Sequence, residues 1–432
     1  MIRPTRAWRA AAVLATATLV LSACGGDNGT ETDTGSEPTT SESAEASESP
    51  AAKGDGTLHV GTLLPQTGDL AFLGPPEFAG VDAAIEDINA AGGVLGKDVA
   101  QTKADSGDGT PDIAGAQVDK LLAAEADVVV GAAASGVSLS VINKITDAGV
   151  AQFSPANTSP SFDDPETDPN ELYFRTAPSD VLQGAVLSNL VIEDGFTNVA
   201  ILARQDSYGE LLANQTEQGL KGGGATVAAK ILYSADATNY TAEINEVAAA
   251  KPDAVVLIAF NETTKIIPQM IAKGIGPKDV QVYFVDGNTA DYSGDFPPGT
   301  LEGVRATYPG AELTDDFRQR MLQANPKLTE FTYGPESYDA TILTALAVEA
   351  AQSDAAEAFG PKIIEVSAEG TECSSYEECL QLIKDGEDID YQGVSGPVDL
   401  GETGSPTKAT IGIFEYKKDN TYENVDYITG VI

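Results

Sequence analysis

The sequence predicts an α/β fold in which parallel sheets are flanked by helices, and three observations support this. The 432 residues are too many for one small domain and suit two lobes of roughly 150–200 residues each. From Thr57 onward, short apolar runs alternate with segments of helical periodicity. The apolar runs are continuous in Val, Ile and Ala, which is typical of strands buried on both faces of a parallel sheet.

The elements fall into two series. The first comprises a strand at residues 57–61, a helix with apolar positions 78, 81, 85 and 88, a strand at 128–130, a helix at 139–147 and a strand at 150–153. The second comprises a helix from 180 with apolar positions 182, 186, 190 and 191, a strand at 199–202, a helix at 209–220, and strands at 227–233, 254–258 and 282–285. Asp127 and Asp253 each precede a buried strand after a helix, which favours two lobes of similar construction, although ordinary βα units give the same pattern without duplication.

Composition excludes several function classes. The chain has 25 Lys and Arg against 66 Asp and Glu, a formal net charge of −41, so it repels the phosphate backbone of nucleic acids. The single His, His59, excludes metal sites built on a histidine pair. No Gly-x-Ser-x-Gly elbow, dinucleotide fingerprint or Gly-Lys-Ser/Thr phosphate loop is present. We therefore predict no catalytic residues, no cofactor and no metal.

The N-terminus is an export signal rather than part of the fold. Residues 1–23 combine three arginines with an apolar run that is too short to span a bilayer. Leu21-Ser22-Ala23-Cys24 then resembles the bacterial lipobox, which implies acylation of Cys24 after removal of residues 1–23. Residues 24–56 are acidic, rich in Ser and Thr and free of aromatic residues, so we predict a disordered tether. The expected location is the outer face of the cell membrane, held by the lipid alone.

Two blocks of sequence are specific enough to indicate a family. The first is Gly61-Thr62-Leu63-Leu64-Pro65-Gln66-Thr67-Gly68, with Asp87-Ile88-Asn89-Ala90-Ala91-Gly92-Gly93 downstream, and the second is Ser154-Pro155-Ala156-Asn157-Thr158. Together with shorter matches that run in order to the end of the chain, they resemble the leucine/isoleucine/valine-type solute-binding proteins of ABC importers. That resemblance implies the type I periplasmic-binding fold, in which two Rossmann-like lobes are joined by three hinge crossings.

The resemblance also implies lobe boundaries. Lobe one is expected to comprise residues 57–176 and 307–391, and lobe two residues 177–306 and 392–432. The family's lobe-one disulfide is missing, because Gly107 and Ala134 stand at the matching positions. Cys373 and Cys379 are close in sequence, and the exported location favours their oxidation to a disulfide.

Ligand-binding positions follow from the same resemblance. Ser135, before a helix, and Ala156, Asn157 and Thr158, after the next strand, match the positions that hold the head group of an amino acid. A hydroxyl and free N–H groups at a helix N-terminus suit its carboxylate, and the Ala156 carbonyl suits its ammonium.

On lobe two, Asp286 matches the acid that holds the ammonium, although it is shorter than the Glu expected in branched-chain binders. We expect it to be costly to desolvate without a cation. Four more residues are expected to line or flank the pocket by resemblance: Leu73, Tyr208, Phe260 and Tyr338. The ligand side chain is expected to be apolar or small and uncharged.

The function implied is capture of a small molecule, an amino acid of branched-chain or apolar type, by a monomer that delivers it to an ABC permease and ATPase complex. Three alternatives stay open. The cargo could be urea, a short amide or an aromatic acid; the lipoprotein could sense its ligand without importing it; or the chain could be an enzyme, which turnover of amides or esters would reveal.

Overall fold

The computed structural model describes residues 54–108 and 111–432. The predicted signal peptide and Cys24 lie outside the described residues, as does the tether up to residue 53. The strands are β1 (His59–Leu64), β2 (Ala100–Asp105), β3 (Val128–Gly131), β4 (Ala151–Ser154), β5 (Tyr173–Arg175), β6 (Asn198–Arg204), β7 (Thr226–Tyr233), β8 (Ala254–Ile258), β9 (Gln281–Phe284), β10 (Arg305–Pro309), β11 (Thr371–Cys373), β12 (Ile389–Tyr391), β13 (Lys408–Tyr416) and β14 (Tyr422–Val431). The helices are α1 (Gly74–Ala90), α2 (Pro111–Ala123), α3 (Ser135–Thr146), α4 (Asp180–Glu193), α5 (Gly209–Gly222), α6 (Thr241–Ala249), α7 (Thr263–Ala272), α8 (Asp315–Ala324), α9 (Gly334–Ala351), α10 (Ala356–Glu365) and α11 (Tyr376–Asp385).

The first sheet has the strand order β2-β1-β3-β4-β5 and is parallel throughout. Successive residues of β3 point to opposite faces, so Val128 and Val130 pack in the core formed with α1 and α9, while Val129 packs in the core formed with α2 and α3. All four residues of β3 are buried. This is the two-sided burial that the continuous valine run predicts.

The second sheet has the order β14-β13-β10-β9-β8-β6-β7. Its five strands from β7 to β10 are parallel, whereas β13 and β14 are antiparallel. The predicted fold class is confirmed, with this antiparallel edge as an addition. The antiparallel pairing of β14 with β13 follows from chain connectivity, because only the short segment 417–421 joins them and such a link permits a hairpin but no parallel crossover.

Two aspartates explain the similarity between the two series. The Asp127 carboxylate accepts a hydrogen bond from the backbone N–H of His59 at 2.8 Å, and Asp253 accepts one from Asn198 at 3.0 Å. His59 begins β1 and Asn198 begins β6, and each aspartate lies just before the neighbouring strand of its sheet. Each side chain thus satisfies a backbone donor at a strand start that the ladder leaves free.

The chain passes between the two sheets three times. The passages lie between β5 and α4, between β10 and α8, and between β12 and β13. β10 keeps its pairing with β13 as far as Pro309. The lobe boundaries given above remain a proposal, and the strands place the second passage after residue 309.

Helix α9 brings the chain back to the cleft between the sheets. It is buried nearly all round, from Gly334 to Glu349, among α1, α10 and α11. The residue before it, Tyr333, has a left-handed backbone with φ of 60°. This conformation is uncommon for a residue with a side chain and turns the chain sharply into the helix.

Cys373 of β11 and Cys379 of α11 form a disulfide, which confirms the predicted pairing. It ties the small parallel sheet of β11 and β12 to α11. Within residues 54–108 and 111–432, no helix has the length and apolar character needed to cross a membrane.

Candidate functional site

One small cavity lies where the carboxyl ends of the two sheets meet, and we call it the cleft cavity. Its volume is about 20 Å³, which is room for about one water molecule. The lining residues are Leu70, Leu73, Ala133, Ala134, Ser135, Ala156, Tyr208, Phe260, Asp286, Gly287 and Tyr333. Six of the residues singled out from the sequence are therefore brought together: Leu73, Ser135, Ala156, Tyr208, Phe260 and Asp286.

The two sides of the cleft are in contact. The Ser159 hydroxyl, after β4, donates a hydrogen bond to the carbonyl of Ser207, after β6, at 2.8 Å. The Thr158 carbonyl accepts from the backbone N–H of Asp180, the first residue of α4, at 2.7 Å. The first bond joins loops that follow strands of different sheets, and the second joins the loop after β4 to a helix that packs against β10, β13 and β14 of the second sheet. The structure is therefore closed around the cavity.

The first sheet supplies the uncharged side of the cavity. Ser135 begins α3, and its hydroxyl accepts a bond of 3.4 Å from the N–H of Ser159. The amide of Asn157 holds the loop after β4 by donating to the carbonyls of Ala132 at 3.0 Å and Ala133 at 2.8 Å. The loop is therefore rigidly placed, with Ser135 and Ala156 facing the cavity.

Among the residues that the structure describes, Asp286 is the only acid that lines the cleft cavity, and three side chains donate to it. Tyr208 and Gln183 donate to Oδ1 at 2.6 and 2.7 Å, and Tyr333 donates to Oδ2 at 2.8 Å. Burial raises the pKa of Asp286, and these hydrogen bonds offset part of the rise. We expected this acid to be costly to desolvate without a cation, and in the structure two tyrosines and a glutamine surround it.

A second buried carboxyl, Asp180, lies close enough to Asp286 to be affected by its charge. Burial, followed by the charge of Asp286, holds the pKa of Asp180 well above its ordinary value. Its Oδ2 accepts from the Thr158 hydroxyl at 3.1 Å, while Oδ1 has no hydrogen-bond partner among the described residues. Two such acids are not readily charged together in a closed site without a cation nearby.

The aromatic wall of the cavity is held from behind by an arginine. Tyr208 and Phe260 stack with ring centroids 5.5 Å apart. The guanidinium carbon of Arg204 lies 3.3 Å from the Phe260 centroid, and the guanidinium is paired with Asp206 and Glu262. This arrangement fixes the Phe260 ring between a cation and a second ring.

Three of the residues singled out from the sequence do not line the cavity. Asn157 and Thr158 lie beside it but use their side chains on the Ala132 and Ala133 carbonyls and on Asp180. Tyr338 lies one and a half turns into α9, where its hydroxyl donates to Asp87 at 3.0 Å in the core with α1. Tyr338 does not line the cleft cavity in this closed structure, and its role at the pocket stays a prediction.

Sequence reasoning missed Leu70, Tyr333, Asp180 and Gln183. Tyr333 precedes Gly334-Pro335, which is a start signal for a helix. An aromatic residue at such a helix start was the available indication that Tyr333 lines the cleft. Asp180 and Gln183 were assigned only to the start of α4. Their spacing of three residues places both on one face of that helix, which was the available signal.

Comparisons with known proteins agree with this geometry. The chemotactic signal transduction system substrate-binding protein BasB of Halobacterium salinarum is 25% identical over 354 residues, covering 79% of this chain and 83% of that protein. The leucine-specific-binding protein of Salmonella typhimurium is 25% identical over 378 residues, covering 84% and 92%. The crystal structure of the leucine binding protein LivK from Thermotoga maritima superposes with a TM-score of 0.71 at 18% identity, covering 86% of this chain and 99% of that one.

These relatives are binding proteins by name, and their likeness spans both sheets of the fold. The family model described as periplasmic binding protein matches residues 57–420, from just before β1 to the turn between β13 and β14. The chain is thus a solute-binding protein, and it belongs to the periplasmic binding protein family.

Proposed function

We propose that the protein captures a free amino acid with an apolar or small uncharged side chain in the cleft and delivers it to an ABC importer. The observation that carries the proposal is the cleft cavity itself, where Ser135 from one sheet and Asp286 from the other face the same space. Ligands of open α/β sheets bind beyond the carboxyl ends of the strands, which is where this cavity lies.

Each part of a zwitterion has a suitable partner there. The carboxylate fits against the Ser135 hydroxyl and the first N–H groups of α3, where the helix dipole favours an anion. The ammonium fits Asp286, and it would relieve the repulsion that Asp286 exerts on Asp180. The side chain would contact the apolar wall that includes Leu73 and Phe260.

Ligand entry requires the cleft to open, because a cavity of about 20 Å³ holds no amino acid. We infer that on opening the Tyr333 hydroxyl separates from Asp286 and the hydrogen bonds of Ser159 and Thr158 across the cleft break. These contacts would re-form around the ligand on closure. A ligand that touches both sheets biases this hinge equilibrium, and the permease would then read the closed face. The protein itself would act as a monomer and would make or break no bond.

A thermal-shift screen tests the cargo class. The ligands are the twenty amino acids, urea, acetamide, benzoate and 4-hydroxybenzoate. A ligand at 100 times its Kd stabilises by about 2.7 kcal/mol, which is roughly 3 °C for a chain of this size. We expect the largest shift with an apolar amino acid. A response to benzoate or urea and to no amino acid would refute the cargo, while the binding fold would stand.

Ligand sensing is the second candidate, and the likeness to a chemotactic substrate-binding protein favours it. Deletion of the gene distinguishes the two. Import predicts loss of uptake of the radiolabelled ligand, whereas sensing predicts normal uptake with loss of the behavioural response to that ligand.

Membrane attachment through acylated Cys24 is part of the proposal and needs its own measurement. Intact mass of the membrane-extracted protein is expected to show diacyl or triacyl addition at Cys24. A Cys24→Ser variant is expected to lose the acyl mass and to leave the membrane fraction. Retention of that variant on the membrane would contradict anchoring by the lipid alone.

A further inference from the structure

A second, larger cavity opens on the other side of Tyr333. It has a volume of about 700 Å³ and lies between the end of β10, the segment 329–333 before α9, and the hairpin of β13 and β14. We call it the second cavity. Tyr333 is its only lining residue that also lines the cleft cavity, and Asp286 and Ser135 do not reach it. The two cavities are therefore separate sites.

The walls of the second cavity combine aromatic rings with acids. Six lining residues are acidic and two, Arg318 and Lys417, are basic, so the interior attracts cations. Tyr308 and Phe414 stack at 4.1 Å between centroids, and Tyr422 and Tyr427 lie along the same wall. Ring faces beside carboxyl groups are the surroundings that recognise organic ammonium groups.

Glu336 is the feature that points to a bound ligand. Its side chain is only 3% exposed, yet it lines the cavity in the first turn of α9. No side chain among residues 54–108 and 111–432 donates a hydrogen bond to its carboxyl. The carboxyl lies close to Gly310, since a Cβ added to that glycine would be 3.1 Å from the Glu336 Oε1. The carboxyl accepts a hydrogen bond from its own backbone N–H, but no positive charge offsets its burial, and a cation in the cavity would do so.

Two of the other acids that line the second cavity already have partners. Glu330 accepts bonds from the Tyr422 hydroxyl at 2.5 Å and from the N–H of Asp291 at 3.1 Å. Glu423 lies 3.8 Å from the ammonium of Lys417. Glu77 of α1 is also buried, and neither of its carboxyl oxygens has a hydrogen-bond partner among the described residues, but it does not line the cavity. Among the acids that do line it, Glu336 is the buried one, and its charge also raises the pKa of Glu77.

An organic cation fits these walls better than a metal ion does. Within the part of the chain that the structure describes, no three His, Cys, Asp or Glu side chains are grouped so that they could hold a metal. One carboxylate among aromatic rings in a space of about 700 Å³ suits an ammonium with alkyl substituents. We propose that the second cavity binds a small organic cation, with its charge against the Glu336 carboxylate and its alkyl groups against the tyrosines.

Calorimetric titration of the purified full chain tests the proposal. The probe is choline, and 3,3-dimethylbutan-1-ol, which has the same shape without the charge, is the matched control. Burial raises the pKa of Glu336 to about 8, so the titration is done at pH 9, where most of the carboxyl is ionised. We expect choline to bind with one-to-one stoichiometry and the neutral alcohol to bind at least 10-fold more weakly.

Three variants locate the site. Glu336→Gln keeps the shape and removes the charge, and we expect it to weaken choline at least 10-fold. Glu302→Gln changes an exposed acid outside the cavity and is expected to alter affinity less than threefold. Asp286→Asn reports on the cleft cavity and should leave choline binding unchanged.

Other results overturn the proposal. They are no binding of choline, equal binding of the neutral alcohol, an unchanged affinity in Glu336→Gln, or loss of binding in Asp286→Asn alone, which would place the cation in the cleft cavity. The comparison of choline with the alcohol uses the unmodified chain, so it stands even if Glu336→Gln folds poorly.

Discussion

Replacing Asp286 by Asn and by Ala separates the binding role of this carboxyl from its structural role. Oδ1 accepts from Tyr208 and Gln183, and Oδ2 accepts from Tyr333. In Asp286→Asn the remaining oxygen keeps the first two donors, and the Tyr333 hydroxyl can rotate to accept from the new NH₂ group. In Asp286→Ala all three donors lose their acceptor inside a buried site.

The expected magnitudes differ accordingly. Each orphaned buried donor costs roughly 1–3 kcal/mol, and water entering the enlarged cavity favours the lower figure. Asp286→Ala should therefore lose about 3 kcal/mol of unfolding free energy, while Asp286→Asn should stay within about 1 kcal/mol of wild type at pH 5. For an amino-acid ligand, losing the buried charge partner costs roughly 2–5 kcal/mol, so Asp286→Asn should bind at least about 30-fold more weakly.

The pH dependence of stability provides a check that needs no ligand. The pKa of Asp286 is raised in the folded state, so the folded chain holds more protons than the unfolded chain once the pH exceeds about 4. The unfolding free energy of wild type therefore falls as the pH rises above about 4 and Asp286 ionises in the folded chain. Asp286→Asn has no carboxyl at this position and lacks this pH-dependent loss. The unfolding free energy of Asp286→Asn relative to wild type should increase from pH 4 to pH 8.

Urea unfolding at several pH values measures stability, and calorimetry measures affinity for the amino acid with the largest thermal shift. Asp295→Asn, an exposed acid near the same sheet, is the matched control and should change neither quantity. The reasoning fails if Asp286→Asn binds the amino acid within threefold of wild type. It also fails if the stability difference between the two proteins does not change with pH.

Three further predictions concern stability. Burial raises the pKa of Glu336 to about 8, so the wild-type protein loses stability as the pH rises from about 4.5 to 8. In urea unfolding, Glu336→Gln should be more stable than wild type by up to about 3 kcal/mol at pH 7, and it should have no such advantage at pH 4. The Cys373–Cys379 bond closes only a short loop, so its reduction should lower the free energy of unfolding by about 2 kcal/mol. A loss above about 4 kcal/mol would show that the disulfide does more than constrain the unfolded chain. Arg175→Met should lower the free energy of unfolding by about 3–5 kcal/mol, because the fully buried guanidinium donates to two carbonyls of the loop after β4, to a serine hydroxyl and to Asp163. The control is Lys103→Met, which removes an exposed ion pair, and a smaller loss in Arg175→Met than in this control would contradict the prediction.

Much of the fold could be predicted because its strands have a local signature. The valine run of β3 and the apolar run of β8 are buried on both faces, and such runs are visible in sequence without knowledge of their neighbours. The antiparallel β13 and β14 were not assigned. β14 is largely exposed and alternates weakly, and its place in the sheet depends on pairing with β13.

The site was predictable to the extent that strand ends determine it. Ser135, Ala156 and Asp286 each follow a parallel strand, so their common location follows from the rule that carboxyl ends share one edge. Tyr333 enters the cavity from a helix start that is far away in sequence, and no local pattern indicates where that helix docks. Tyr338, five residues further along the chain, was expected at the pocket by resemblance, and in this structure its hydroxyl donates to Asp87 of α1.

The acidity of the chain does not account for the acids in its two cavities. A net charge of −41 reflects mainly side chains in water, where a carboxylate costs nothing to maintain. Asp180 and Glu336 are instead buried, and desolvation raises the pKa of both. Asp180 keeps one carboxyl oxygen without a hydrogen-bond partner among the described residues, and no side chain donates to the carboxyl of Glu336. Random placement of many acids would put few of them in closed sites, because each one lowers stability at neutral pH. Burial alone does not mark a cation site, since Glu77 is buried without a hydrogen-bond partner among the described residues and lines neither cavity, and the charge of Arg175 already lowers the pKa of Asp180. What favours positive charge supplied from outside the chain is position, with Asp180 beside the cleft cavity and Glu336 in the wall of the second cavity.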